Sequence, residues 1–166
     1  DRGHPILAYS ACLTEQGVIF GGRNRIYRYD YDSRSIKLLL DFSSDPYFAI
    51  SAISRWDEET LLCCSRWQGL RLINLRSGER RLPPFDCGKE IMALLIDSHN
   101  RIWLAPYNEG LRCFNPEGRL LASYTTDNSG LSNNVVLSMA ERDSHIWVGT
   151  DGGGINIIHP EYVRVL

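Results

Sequence analysis

Four short segments of this chain can be laid over one another at a nearly fixed interval. They are Val18-Ile19-Phe20-Gly21-Gly22, Leu61-Leu62-Cys63-Cys64-Ser65, Ile102-Trp103-Leu104-Ala105-Pro106 and Ile146-Trp147-Val148-Gly149-Thr150. Their first residues stand 43, 41 and 44 positions apart. A glycine follows each of the last three segments, at Gly69, Gly110 and Gly154, directly before the apolar Leu70, Leu111 and Ile155. In the first repeat Arg25 stands in the glycine position before Ile26 and the turn is one residue shorter. That turn must be built differently, with Asn24 expected to supply the positive φ that asparagine tolerates. A period of this size restricts a chain to stacked, self-similar units.

The residues between these anchors say what each unit is. Nearly unbroken apolar runs precede them at 6–13, 48–53, 91–96 and 135–140. Runs this short suit strands buried on both faces better than helices. Polar turns follow: Thr14-Glu15-Gln16-Gly17, Trp56-Asp57-Glu58-Glu59, Asp97-Ser98-His99-Asn100 and Glu141-Arg142-Asp143-Ser144. Third strands are predicted to begin at Ile26, Leu70, Leu111 and Ile155, and ragged fourth strands at 36–40, 80–82 and 120–124. A four-stranded unit of about 40–45 residues is the size of a propeller blade. Blades stack face to face, so continuous apolar inner strands are expected where a sheet exposed on one side would alternate. The chain therefore reads as all-β, a single β-propeller fragment over 1–166 with approximate blades 1–42, 43–86, 87–130 and 131–166.

The fourth repeat carries the most specific pattern. Gly130-Leu131-Ser132-Asn133-Asn134-Val135-Val136-Leu137-Ser138-Met139-Ala140, then Ile146-Trp147-Val148-Gly149-Thr150-Asp151-Gly152-Gly153-Gly154-Ile155-Asn156, resembles the two-component-regulator propeller repeat. The third repeat keeps Asp97, Ile102-Trp103 and Gly110-Leu111, and the first two are identifiable mainly by spacing. The resemblance implies the extracytoplasmic, periplasmic sensor region of a membrane-bound hybrid histidine kinase from glycan-degrading bacteria. Such regions form large propellers, often two in series, ahead of an immunoglobulin-like domain and a membrane span. Their ligands are typically breakdown products of complex polysaccharides. The family has no catalytic residues to carry over, and its ligand contacts vary between members.

Composition narrows the classes. Eighteen basic and 20 acidic residues are spread along the chain, giving a net charge of −2 and no basic stripe, which argues against nucleic acid. No apolar run reaches the ~18 residues that span a bilayer, so no membrane contact is expected of this segment. The chain begins at Asp1, not Met, and reads as a piece of a longer protein. Its five cysteines, Cys12, Cys63, Cys64, Cys87 and Cys113, include no C-x-x-C pair and read as small buried hydrophobes. No metal, cofactor or nucleophile signature stands out. His99 and His145 fall in equivalent turns and are expected to be solvated. Trp103 and Trp147 match Ile19 and Leu62 inside strands and are expected in the core.

Function is expected on the loops joining second to third strands, which a propeller opens onto one face near its axis. Loops on a rigid scaffold commonly carry binding. The candidate ligand residues are Arg66, Trp67, Gln68, Tyr107, Asn108 and Asp151, with Trp67 and Tyr107 as the lead pair. Aromatic faces can pack on the apolar face of a sugar while Arg, Asn and Gln serve its hydroxyls. Asp151 is expected foremost to cap its own turn. The reading is a non-catalytic sensor segment for an oligosaccharide, with the parent's remaining blades as partners. Alternatives are a protein-interaction scaffold and a propeller lyase or hydrolase; the latter needs acid and base groups converging on the axis. Four blades of a longer ring would leave their end faces uncovered, so self-association through the end blades is also expected.

Overall fold

The computed structural model describes residues 6–65, 67–86, 88 and 90–159. It is all-β, in four antiparallel sheets, each built from strands consecutive in the chain. The first holds β1 (Ser10–Thr14), β2 (Gly17–Gly22), β3 (Arg25–Asp30) and β4 (Ser35–Asp41); the second β5 (Ile50–Arg55), β6 (Thr60–Ser65), β7 (Gly69–Asn74) and β8 (Arg80–Arg81). The third holds β9 (Ile91–Ile96), β10 (Ile102–Pro106), β11 (Leu111–Phe114) and β12 (Leu120–Tyr124), and the fourth β13 (Val136–Arg142), β14 (His145–Thr150) and β15 (Gly154–Ile158). Sequential antiparallel order is what short connections between neighbouring strands permit. The four anchor segments all fall in second strands. The sheets group into two compact units, residues 1–82 and 83–166, two sheets in each.

In the first unit β5 lies beside β1 and β2. Two bonds stitch the sheets: Ser10 Oγ accepts the Ile53 N–H at 3.0 Å, and the Arg23 carbonyl accepts the Ile50 N–H at 2.7 Å. Between them pack Ile19 and Ile26 from the first sheet and Ile50, Ile53, Leu61, Cys63 and Ile73 from the second, with Phe48. Phe48 meets Phe42 edge-on at 5.0 Å between ring centres. The short first turn takes its positive φ from Arg23 (50°), not from Asn24. The Asn24 amide is used elsewhere, donating to the carbonyls of Phe42 and Asp45.

In the second unit β9 lies beside β13. Ala93, Trp103, Ala105, Leu111 and Cys113 pack against Leu131, Val136, Ile146, Val148 and Ile158. The Glu141 carboxylate accepts the backbone N–H and hydroxyl of Ser98, linking the two sheets. The β13–β14 hairpin turns on Asp143 (φ 51°) and Ser144 (φ 62°). Positive φ at both central residues is the type I′ geometry, whose twist matches that of the flanking strands.

Two expectations are corrected. The run at 6–13 becomes a strand only from Ser10; Ile6, Leu7 and Tyr9 are exposed. Nor are all first strands buried on both faces: β1 alternates half-buried with exposed positions, and β13 is exposed at four of its seven residues.

Candidate functional site

The second-to-third-strand loops lie where the repeat places them, at 23–24, 67–68, 107–110 and 151–153 among the described residues. In the first unit the loop after β6 meets the segment that leads into β5. Gln68 Nε2 donates to both oxygens of Asp45, at 3.2 and 3.1 Å, and Arg80 donates to Oδ2 at 2.8 Å. These bonds, Arg80 first and Gln68 second, hold the Asp45 carboxyl below the usual range. Arg80 is itself fixed over the rings of Phe42 and Phe48, at 5.2 and 4.8 Å. Ser65 Oγ donates to the Tyr47 carbonyl at 3.3 Å. Gln68 therefore builds the loop. Trp67 and Tyr47 are each more than half exposed above this network. Arg66 lies outside the described residues. Tyr47 was not among the expected loop residues because it precedes a first strand, where it follows the turn-forming Asp45-Pro46.

In the second unit Tyr107 is more than half exposed, and Asn108 beside it takes φ 59° at the apex of the turn. Glu109 pairs with Arg112 at 2.5 Å. The Gly110 N–H donates to the Asn134 carbonyl, and the Asp151 N–H to the Val135 carbonyl. The 107–110 turn and the 151–153 turn thus flank the segment 133–135. Asn133 Nδ2 donates to the Asp151 carbonyl at 2.7 Å. Asp151 joins this arrangement through its backbone, whereas a capping bond from its carboxylate was expected; none is found among the described residues. Asn156 donates to Ser132 Oγ at 2.8 Å, and its Oδ1 accepts the Ser132 N–H at 3.0 Å. Ser132 Oγ also meets Thr150 Oγ1 at 3.0 Å. A Cβ on Gly153 would come within 2.5 Å of Ser132 Oγ and 2.7 Å of Thr150 Oγ1. Glycine there is a packing requirement of the network.

These bonds explain why serine and asparagine at 132–133 occur with threonine at 150 and glycine at 153, about 20 positions later. The family model described as "Two component regulator propeller" matches residues 130–152, the stretch the network ties together. The chain carries a two-component-regulator propeller repeat. Solved structures share its fold. The WD40 β-propeller domain of Doa1 aligns with 93% of this chain and 51% of its own, at 17% identity and TM-score 0.69. The extracellular domains assigned to the hybrid two-component systems BT4673 and BT3049 of B. thetaiotaomicron align at 21% and 20% identity, with TM-scores of 0.66 and 0.65. They cover 91% and 96% of this chain, which spans only 21% and 22% of theirs. No curated protein matches the chain. The fold is a β-propeller, shared with extracellular regions of two-component systems.

Within this propeller the two repeat tryptophans differ. Trp103 is fully buried and donates its Nε1–H to Asp97 at 2.8 Å. Trp147, expected in the core, is 39% exposed. The sheet beyond β10 covers Trp103, whereas the face of β14 that bears Trp147 is open. Among the described cysteines none is in a disulfide. Burial pushes the Cys12 thiol up to about 11 and Cys113 up to about 12, and raises Cys63 as well. Cys87 lies outside the described residues. His99 is exposed; His145 is half-buried and meets His159 edge-on at 4.2 Å. No group of three metal-ligating side chains occurs among the described residues.

A cleft of about 480 Å³ opens at the other end of the first unit's strands, by the 15–16 and 56–59 turns. Arg28, Arg55 and Arg76 line it, facing Glu15, Asp57, Glu58 and Glu59. Arg28 binds Gln16 at 2.9 Å and Asp30 at 3.4 Å, and its Nε is buried without a partner. Acids and bases interleave there, so neither sign of charge forms a continuous patch.

Proposed function

We propose that this chain is a non-catalytic, ligand-reading segment of an extracytoplasmic sensor, taking an oligosaccharide on the loops that join second to third strands. The observation that carries this reading is a division of labour in those loops. Polar side chains near them are engaged in internal bonds, Gln68 with Asp45 and Asn133 with the Asp151 carbonyl. The aromatic side chains Trp67, Tyr47 and Tyr107 stand exposed on the framework so formed. A pre-ordered aromatic surface binds a sugar face with little ordering cost. Asn108 and Asp151 supply exposed polar groups in the second unit that suit sugar hydroxyls. Relation to extracellular domains of two-component systems supports a periplasmic setting and a signalling output passed to a kinase.

The test is thermal unfolding of the chain against a broad panel of neutral and acidic oligosaccharides at millimolar concentration. A ligand at ~100 times its dissociation constant stabilises by about 2.7 kcal/mol, a shift of several degrees for a domain of this size. The reading expects one class of glycan to give that shift and Trp67→Ala or Tyr107→Ala to abolish it without lowering the unliganded midpoint. A panel that leaves the midpoint unchanged overturns glycan sensing.

A further inference from the structure

Each blade has two faces, and the repeat assigns them different partners. The face of β2 bearing Ile19 packs on the second sheet, against Leu61 and Cys63. One period and unit on, the face of β10 bearing Trp103 packs on the fourth sheet, against Ile146 and Val148. Ile19, Trp103 and Trp147 hold the same position in the repeat; so do the pairs Val18 and Phe20, Leu61 and Cys63, and Ile146 and Val148. In both units the rule is the same: the Ile19/Trp103 face is received by the Leu61/Cys63 or Ile146/Val148 face of the next blade.

Two faces bear exposed apolar side chains, and they are of opposite kinds. On the fourth sheet Trp147 lies opposite Ala140 and Ile157, with Ile155 on the same side. Ile155 is 70% exposed. On the first sheet Val18 and Phe20 lie with Leu13, Tyr29, Tyr27 and Leu38 on one side. Leu13 is 73% exposed, and Phe20 and Tyr27 stack at 5.5 Å. The open face of the fourth sheet is the donating kind and that of the first sheet the receiving kind.

We infer that the Trp147 face of one copy of this chain docks on the Phe20 face of a second copy, blade on blade, as neighbouring blades pack within each unit. The contact is heterologous, since the two surfaces differ. It requires no ligand and does not rest on the glycan reading. Contiguous exposed apolar patches commonly mark association surfaces.

The test is sedimentation or light scattering of the purified chain across micromolar concentrations. The expected result is a mass of two or more chains that falls on dilution. Leu13→Lys and Ile155→Lys change exposed side chains, one on each face, and circular dichroism verifies that both stay folded. Each is expected to weaken association at least ~30-fold, the scale of a hot-spot loss. Mixing the two variants is expected to restore a dimer, because each keeps the face the other has lost. A wild-type monomer at high concentration overturns the inference, and if Trp147 is then shielded from quencher, the chain's own first blade is the occupant. Loss of association in Ile155→Lys alone indicates a symmetric contact and also overturns it, as does a mixture that stays monomeric.

Discussion

Replacing Asp97 by alanine removes the acceptor for four donors at once. Its side chain is fully buried, and its carboxylate accepts the His99 N–H and the Arg101 N–H, each at 2.9 Å, Arg101 Nε at 2.6 Å and Trp103 Nε1 at 2.8 Å. The donors differ in what they lose. The Arg101 side chain is partly exposed and can turn to water. The two backbone groups lie in a turn whose neighbours Ser98, His99 and Asn100 are exposed, so water can replace part of what they lose. The Trp103 indole is wholly enclosed, and its N–H is left without an acceptor, at about 1–3 kcal/mol. With the three partly compensated bonds the total is about 3–5 kcal/mol, the range for breaking a buried ionic partner. Asp97→Asn keeps an oxygen for the turn but turns a donor toward the indole, and is expected to cost about 2–3 kcal/mol. Trp103→Phe removes the indole donor, so a double-mutant cycle with Asp97→Ala isolates the bond at about 1–3 kcal/mol of coupling. Urea unfolding followed by far-ultraviolet circular dichroism reads these differences. A loss below about 1 kcal/mol for Asp97→Ala, or additivity with Trp103→Phe, refutes the reasoning.

Gly153→Ala is expected to cost about 1–3 kcal/mol and to break the Ser132–Thr150–Asn156 network, read as faster amide exchange at Ser132 and Gly154. Cys63 and Cys113 are expected to resist a thiol reagent at pH 8 in the folded chain and to react promptly in denaturant, with labelled positions read by peptide mass; prompt labelling of either in the native state contradicts their burial. Burial favours the neutral thiols in the fold, so that stability is fully present below the ordinary value of 9.0 and is lost as pH rises above it toward the folded values of about 11 for Cys12 and 12 for Cys113; the urea midpoint falls on that alkaline limb, and less so in Cys12→Ala. Asp45 is held below its ordinary value of 3.8, so its contribution is present above that pH and is lost as pH falls through the lowered folded value; Asp45→Asn is expected to flatten the acid limb of stability against pH.

The repeat period was legible because it survives where individual residues do not. Strands β9 and β12 span the segments 91–96 and 120–124 that the pattern marks, and β3, β7 and β15 each begin one residue before the predicted apolar start. Ends of apolar runs were less legible. Ile6 and Leu7 continue the run into β1 yet fall outside it: the Leu7 carbonyl lies close against Gly22 of β2, but the strand begins only at Ser10, and apolar character alone does not set a ladder's end. Arg23 takes the positive φ in place of Asn24 for a related reason. Asparagine tolerates that conformation, but the Asn24 side chain is drawn to the carbonyls of Phe42 and Asp45, 18 and 21 residues away. Local propensity is a weak prior when a distant partner competes for the side chain.

Sequence position separates the tryptophans no better than it separates Trp67 from Gln68. Trp103 and Trp147 share one place in the repeat, and the repeat fixes the direction each points. Whether a sheet stands in that direction is a property of the neighbour, so one is enclosed and the other open. In the candidate loop Trp67 and Gln68 are adjacent and both plausible for a sugar. The Gln68 amide is spent on Asp45, 23 residues earlier, which Arg80 holds from 35 residues beyond that aspartate. The local reading located the loops because the repeat sets their position. It could not sort exposed side chains from loop-building ones, because that division is made by contacts several strands apart. The same contacts give Trp67 and Tyr47 a fixed footing, since a loop whose polar groups are already bonded has little freedom left to lose when a ligand arrives.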